Sequence, residues 1–295
     1  MRSLSRRASI VCGAAALIGF AGNSLLARVA LGDRYIDAST FTLVRLASGA
    51  VVLFLIAALT RGHFRLPLEN RWLSAVALFV YAAAFSFAYL RLDAGPGALI
   101  LFGAVQVTMI GWGLAAGERP GIATWFGLAL ASSGLAALTL PAAQAPERIA
   151  GGLMALAGVA WGVYSLIGRG TVDPIGATAV NFIVSVPFAA GLSALARSGF
   201  HSTGHGVLLA VASGALASGI GYSFWYAALP SLSATHAAIA QLIVPVLTAA
   251  AAVVLLDEIV TVRLVVAGGS ILCGVLVALL ASRRGRGTAP THLEP

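Results

Sequence analysis

The chain contains no lysine and only 10 acidic residues among its 295, and charged residues of both signs make up just 9% of it. A soluble domain carries about 25% charged residues, so too little polar surface is present to clothe a water-soluble globule. Without lysine there is no phosphate-loop lysine, and neither His-Glu-x-x-His nor Gly-x-Ser-x-Gly occurs. Cysteine is nearly as scarce. Cys12 and Cys273 both fall in apolar runs and read as small buried hydrophobes rather than a disulfide framework. No second ligand stands at metal-site spacing from His236, the histidine in or near an apolar run, so neither metal nor cofactor is expected. No acidic residue lies well inside an apolar run, which removes the usual carrier of a membrane proton relay.

What is present is apolar. Hydrophobic residues reach 59% and mean hydropathy is +0.96. A bilayer-spanning helix needs about 20 mostly apolar residues, and such runs occupy 9–27, 39–59, 72–90, 95–116, 122–140, 150–167, 174–195, 207–229, 232–256 and 262–281. The expected fold is an all-α polytopic membrane protein with ten transmembrane helices. Arg2, Arg6 and Arg7 before the first run mimic a signal peptide, but Asn23 within it and the spans after it make it a membrane helix.

All 18 basic residues are arginines, and the net charge is +8. They sit in short connections and at the ends, which fits topology better than nucleic-acid binding. With both termini cytoplasmic, eleven arginines lie inside (2, 6, 7, 61, 65, 71, 119, 169, 283, 284 and 286). Six lie outside (28, 34, 91, 148, 197 and 263), and Arg45 alone is left within a span. The bias favours an even number of spans.

An internal repeat agrees. Phe20-Ala21-Gly22-Asn23-Ser24-Leu25-Leu26-Ala27-Arg28 lines up with Trp161-Gly162-Val163-Tyr164-Ser165-Leu166-Ile167-Gly168-Arg169 at an offset of 141 residues. Gly117-Glu118-Arg119 lines up with Asp257-Glu258-Ile259 at an offset of 140. Five spans per copy force the second copy to enter from the opposite side, giving a 5+5 inverted repeat with a site near mid-membrane. The expected units are 8–141, 149–281 and a disordered cytoplasmic tail, 282–295.

Polar groups inside apolar runs are the candidate site residues. Arg45 lies about six residues into its span, roughly 9 Å deep, where it either snorkels to the interface, pairs with Asp37, or lines a cavity as a carboxylate partner. Asn23, Gln106, Asn181 and Gln241 each need a partner or a wet cavity. His236 could carry a proton or cap a helix. Tyr81 with Phe85, and Tyr222 with Tyr226, share a face as i,i+4 pairs, and Trp161 with Tyr164 add a stacking surface. Trp72, Tyr89 and Tyr226 fit an interfacial aromatic belt. Pro187 and Pro245 are candidate hinges, Pro245 because it unpairs the carbonyl of Gln241. Asp93, Glu118, Asp257 and Glu258 read as solvated span ends. Aromatic faces with neutral hydrogen-bonding ends suit a solute with an apolar side chain and a compact polar head.

The order of these motifs across 9–281 resembles the EamA-type members of the drug/metabolite transporter superfamily. The features are the aromatic-small-x-x-Ser start of each half, Leu43-Val44-Arg45-Leu46, Gly117-Glu118-Arg119, Gln241-Leu242-Ile243-Val244-Pro245-Val246 and Leu256-Asp257-Glu258. Ala104-Val105-Gln106-Val107 departs from the pattern, placing Gln106 where such proteins often carry proline. The resemblance implies ten helices around a central cavity and cytoplasmic termini in a bacterial inner membrane. It also implies export of small metabolites, commonly amino acids. The expected activity is non-enzymatic: export or exchange of neutral or aromatic amino acids. A nucleotide-sugar or other metabolite carrier of the same fold is the alternative, and a membrane enzyme a more distant one. Expected partners are a small-molecule substrate and the lipid bilayer, with no nucleic acid, and a monomer suffices.

Overall fold

A computed structural model describes residues 5–61, 71–92, 94–139, 148–196, 200–255 and 259–285. Among them the chain is helical. The helices are α1 (Arg6–Gly32), α2 (Ala38–Arg61), α3 (Trp72–Ala88), α4 (Ala94–Ala115), α5 (Ile122–Thr139), α6 (Arg148–Gly168), α7 (Pro174–Leu195), α8 (Gly204–Ala212), α9 (Gly221–Ala228), α10 (Ala234–Gln241), α11 (Ile243–Leu255) and α12 (Val262–Gly285). Nine candidate spans long and apolar enough to cross a bilayer are found among the described residues, α8–α9 and α10–α11 each counting as one, and α3 is a tenth, shorter apolar helix. The protein is therefore a polytopic membrane protein. The helix α12 runs on to Gly285, four residues into the segment expected to be a disordered tail, and the remainder of that tail lies outside the described residues.

The long spans are joined by two internal irregularities. Between α8 and α9, residues Ser213–Ile220 form a π-helix, a widened turn that often marks a functional site. Between α10 and α11 the helix breaks at Leu242, whose N–H turns back onto Ile239. Pro245 three residues on has no N–H to give Gln241, so the α-helical ladder has no reason to continue through that turn. By contrast α4 runs unbroken through Gln106, and α7 through Pro187.

Helix pairing follows small residues, which in a membrane let backbones approach closely where hydrophobic burial gives no drive. A Cβ added at Gly127 of α5 would stand 2.4 Å from the carbonyl oxygen of Gly274 in α12, and one at Gly158 of α6 would stand 2.5 Å from that of Leu101 in α4. The main pairings are α5 with α12, α2 with α7, α3 with α6, α4 with α6, α1 with α9 and α1 with α11. This leaves the inner faces of α1, α2, α3, α4, α6, α9, α10 and α11 around a common centre.

Candidate functional site

At that centre the structure gathers most of the polar residues singled out above. Arg45 is only 1% exposed. Its Nε donates to Ser218 Oγ at 3.0 Å, its Nη2 donates to Tyr222 Oη at 2.6 Å, and its guanidinium lies over the rings of Tyr81 (5.4 Å) and Phe85 (5.8 Å). A permanent charge at depth costs about 2.5–3.5 kcal/mol on insertion scales, and here hydroxyls and π faces offset it rather than a carboxylate. Arg45 neither snorkels nor pairs with Asp37. Asp37 instead accepts from Ser39 Oγ and the Thr40 and His201 N–H groups, at the end of the bundle where α1 finishes. Burial there opposes the charged form, but those hydrogen bonds outweigh it and hold the Asp37 carboxyl below its ordinary pKa.

The aromatic side chains continue from Arg45. Tyr222, Tyr81 and Trp161 are mutually packed, with Trp161 centroids 4.9 Å from Tyr81 and 4.7 Å from Tyr222, and Tyr164 stacks on Trp161 at 5.5 Å. The indole of Trp161 donates to Gln241 Oε1. Gln241 Nε2 reaches the Ala237 carbonyl and Met109 Sδ, and Gln106 Nε2 donates to the Ala238 carbonyl at 2.8 Å. Asn23 Oδ1 accepts from Ser213 at 2.6 Å and more weakly from Ser218, so the π-helix supplies the hydroxyls that join Asn23 to Arg45. All of these residues are buried, and the ring faces are spent on one another. Tyr226, read from the sequence as a belt residue, is also fully buried: it bonds Ser74 and the Tyr164 carbonyl, with Asn181 at 3.4 Å.

A cavity of about 240 Å³ lies within about a helical turn of this cluster. It is lined by Ser24, Arg28, Tyr89, Phe102, Pro245 and Thr248, among others. The numbering places it: Tyr89 lies four residues beyond Phe85, Pro245 four beyond Gln241, Phe102 four before Gln106, and Ser24 next to Asn23. Each is a helical turn or less from a cluster residue, towards the end of the bundle where α1 and α11 finish and α4 begins. The cluster residues themselves do not line the cavity; they lie about one helical turn from its wall. Pro245 thus lines the cavity directly, whereas nothing places Pro187 near it.

The opposite end, where α4 finishes and α10 begins, is tied shut. Gly117 adopts φ +89°, a left-handed turn that suits glycine, and swings Glu118 back over Gly113. A Cβ at Gly113 would stand 2.8 Å from Glu118 Oε2. The carboxylate accepts from the N–H groups of Ala234 (2.7 Å) and Thr235 (3.1 Å) and from the Thr235 hydroxyl (2.7 Å), and it lies 3.7 Å from Arg169. A negative charge on the bare N–H groups of a helix start is electrostatically favoured. Burial works against the charged form of Glu118, but the Thr235 and Ala234 hydrogen bonds and Arg169 win, and its pKa falls below the ordinary value. Arg169 also donates to the Leu232 carbonyl. Glu118 is thus a structural anion, not the solvated span end read from the sequence.

His236 stands apart from the central cluster. It sits in the first turn of α10, with Nδ1 2.6 Å from Ser233 Oγ and its N–H on the same oxygen. Three contributors went unread in the sequence. Glu118 was hidden because its partners are 116 residues away. The Ser213–Ser218 pair was hidden because nothing in the sequence announces a π turn. Arg28 interrupts the apolar run that the sequence shows up to residue 27, yet Val29-Ala30-Leu31 continue the apolar pattern and α1 runs to Gly32. Among the described residues no group of three His, Cys, Asp or Glu side chains is placed to hold a metal.

Residues 149–280 match the model of the EamA-like transporter family. The uncharacterized protein PA1977 of Pseudomonas aeruginosa is 48% identical over 280 residues, spanning 95% of this chain and 97% of its own length. A solved crystal structure superposes with a TM-score of 0.79 over 95% of this chain and all of the other, at 22% identity. That likeness concerns the fold alone.

Proposed function

The chain belongs to the EamA-like transporter family, and from that premise we propose that it is a secondary transporter that exports or exchanges small neutral or aromatic amino acids by alternating access. It works in the bacterial inner membrane with both termini cytoplasmic. The observation that carries this reading is the asymmetry of the bundle: a cavity lies towards one end, about a helical turn from the aromatic and amide cluster, and a carboxylate latch ties the other end. With cytoplasmic termini, the cavity is on the periplasmic half and the Glu118 latch on the cytoplasmic half.

An inverted 5+5 organisation is supported by the way contacts come in counterpart pairs. Under the 141-residue offset, α3 on α6 becomes α9 on α1, and α4 on α6 becomes α11 on α1, while α2–α7 and α5–α12 map onto themselves. Such a bundle can exchange the roles of its halves by rocking about the shared centre.

The size of the cavity favours small solutes. Pockets for drug-sized ligands run to roughly 300–1,000 Å³, and about 240 Å³ falls below that range. A nucleotide sugar needs more volume and more cationic partners than Arg28 and Arg45 offer. Saturable counterflow of labelled phenylalanine in proteoliposomes, competed by other large neutral amino acids, is the expected result. No phenylalanine flux beside saturable uptake of a nucleotide sugar would replace the proposed substrate class.

A further inference from the structure

Among the described residues the guanidinium of Arg45 meets no carboxylate. Its Nε and Nη2 reach Ser218 and Tyr222, while Nη1 is buried without a hydrogen-bond partner. Among the described residues no Asp or Glu lies within any helix, so none of the described spans carries a carboxylate that could pair with it. Arg28 places a guanidinium in the cavity wall. The acceptors left for a cation are neutral: Gln106 Oε1 and Asn181 Oδ1 are both buried without a hydrogen-bond partner.

Resting on the transporter reading above, we infer that the solute itself brings the counter-ion: a carboxylate received by Arg45 Nη1 is what the site recognises, and an α-ammonium is dispensable. A guanidinium binds a carboxylate through charge-assisted hydrogen bonds, roughly twice as strong as neutral ones. An ammonium meets only amide or hydroxyl oxygens, so its loss costs less. The path is short. Tyr89 lines the cavity and packs on Phe85 at 4.7 Å, and Phe85 lies under the Arg45 guanidinium. On this inference the solute reaches Arg45 by displacing the Tyr89 and Phe85 rings. Phe85 is therefore a positioning residue between cavity and charge.

The test compares analogues of one side chain on the unaltered protein. Initial-rate counterflow of labelled phenylalanine is competed with 3-phenylpropionate, which lacks the amine. It is also competed with phenethylamine, which lacks the carboxylate, and with phenylalaninamide, which carries a neutral carboxamide. The expected result is that 3-phenylpropionate competes within about tenfold of phenylalanine, while phenethylamine and the amide are weaker by about a hundredfold, as the loss of a charge-assisted pair implies. In a second arm, R45K keeps that order with weaker competition, and R45Q abolishes the preference for the acid. A monodisperse elution profile and an unchanged thermal midpoint show that each variant folds. Competition by phenethylamine as strong as that by phenylalanine overturns the carboxylate assignment and leaves the carrier standing. Absence of counterflow for every solute overturns the carrier reading itself.

Discussion

Glu118→Ala should open the end of the bundle where α10 begins. Three donors converge on that carboxylate, two of them backbone N–H groups of α10 that have no other acceptor in their helix. Hydrogen bonds to a charged group contribute about 1.5–3 kcal/mol each, and losing even one raises the open population by roughly ten- to a hundredfold. The readout is a thiol at Ala234, which is fully buried beside the latch, in a background where Cys12 and Cys273 are serine. Its reaction with a soluble maleimide should quicken by about the same factor in Glu118→Ala, and by less in Glu118→Gln, which keeps one acceptor. Unchanged reactivity would mean that the latch holds nothing.

The direction of the Glu118 pKa shift fixes the pH response. A carboxyl whose folded pKa lies below its unfolded value contributes fully above the unfolded pKa, near 4.5, and loses that contribution as pH falls through the lower folded value. Between about pH 6 and about pH 8 the Glu118 carboxyl should therefore stay charged, and acid in that range should not release the latch through it.

Gly214→Leu should abolish accumulation of folded protein. A Cβ at Gly214 would lie 2.0 Å from the carbonyl oxygen of Arg45 and 2.2 Å from Ser48 Oγ, against backbone that cannot yield without moving α2. Overpacking of this kind costs typically about 1–3 kcal/mol, and more where backbone must shift. The contact is also functional in consequence, because Gly214 is what lets α2 approach the π-helix closely enough for Arg45 to reach Ser218 and Tyr222. Gly214→Ala is the milder probe: a lowered thermal midpoint together with reduced counterflow is expected. Wild-type stability and flux in Gly214→Leu would contradict the close crossing.

The sequence made the spans legible because bilayer thickness sets their length and because arginines and prolines interrupt them. It also made the central residues legible, since an arginine or an amide in an apolar run needs a reason to be there. Arg45, Tyr81, Trp161, Tyr222 and Gln241 do converge. The break at Leu242 was readable from Pro245, and the unbroken α4 from the glutamine at position 106. What could not be read was orientation. The aromatic faces were expected to line a cavity, yet they pack on one another, and the open volume lies one turn further along. Helix rotation and rise decide that, and neither has a sequence signature. Glu118 was misread for a related reason: a carboxylate at a span end looks solvated until the fold brings the start of a distant helix onto it.

The most direct measurement is the sidedness of a single thiol in the cavity, Thr248→Cys, in the background lacking Cys12 and Cys273, probed with an impermeant maleimide from each face of sealed vesicles. Thr248 lines the cavity and α11 carries it on the side away from Glu118. The expected result is labelling from the periplasmic face alone while Glu118 is intact, with labelling from the cytoplasmic face appearing in Glu118→Ala. Equal labelling from both faces at rest, or labelling from the cytoplasmic face alone with Glu118 in place, would contradict a carrier that is latched at one end and accessible at the other.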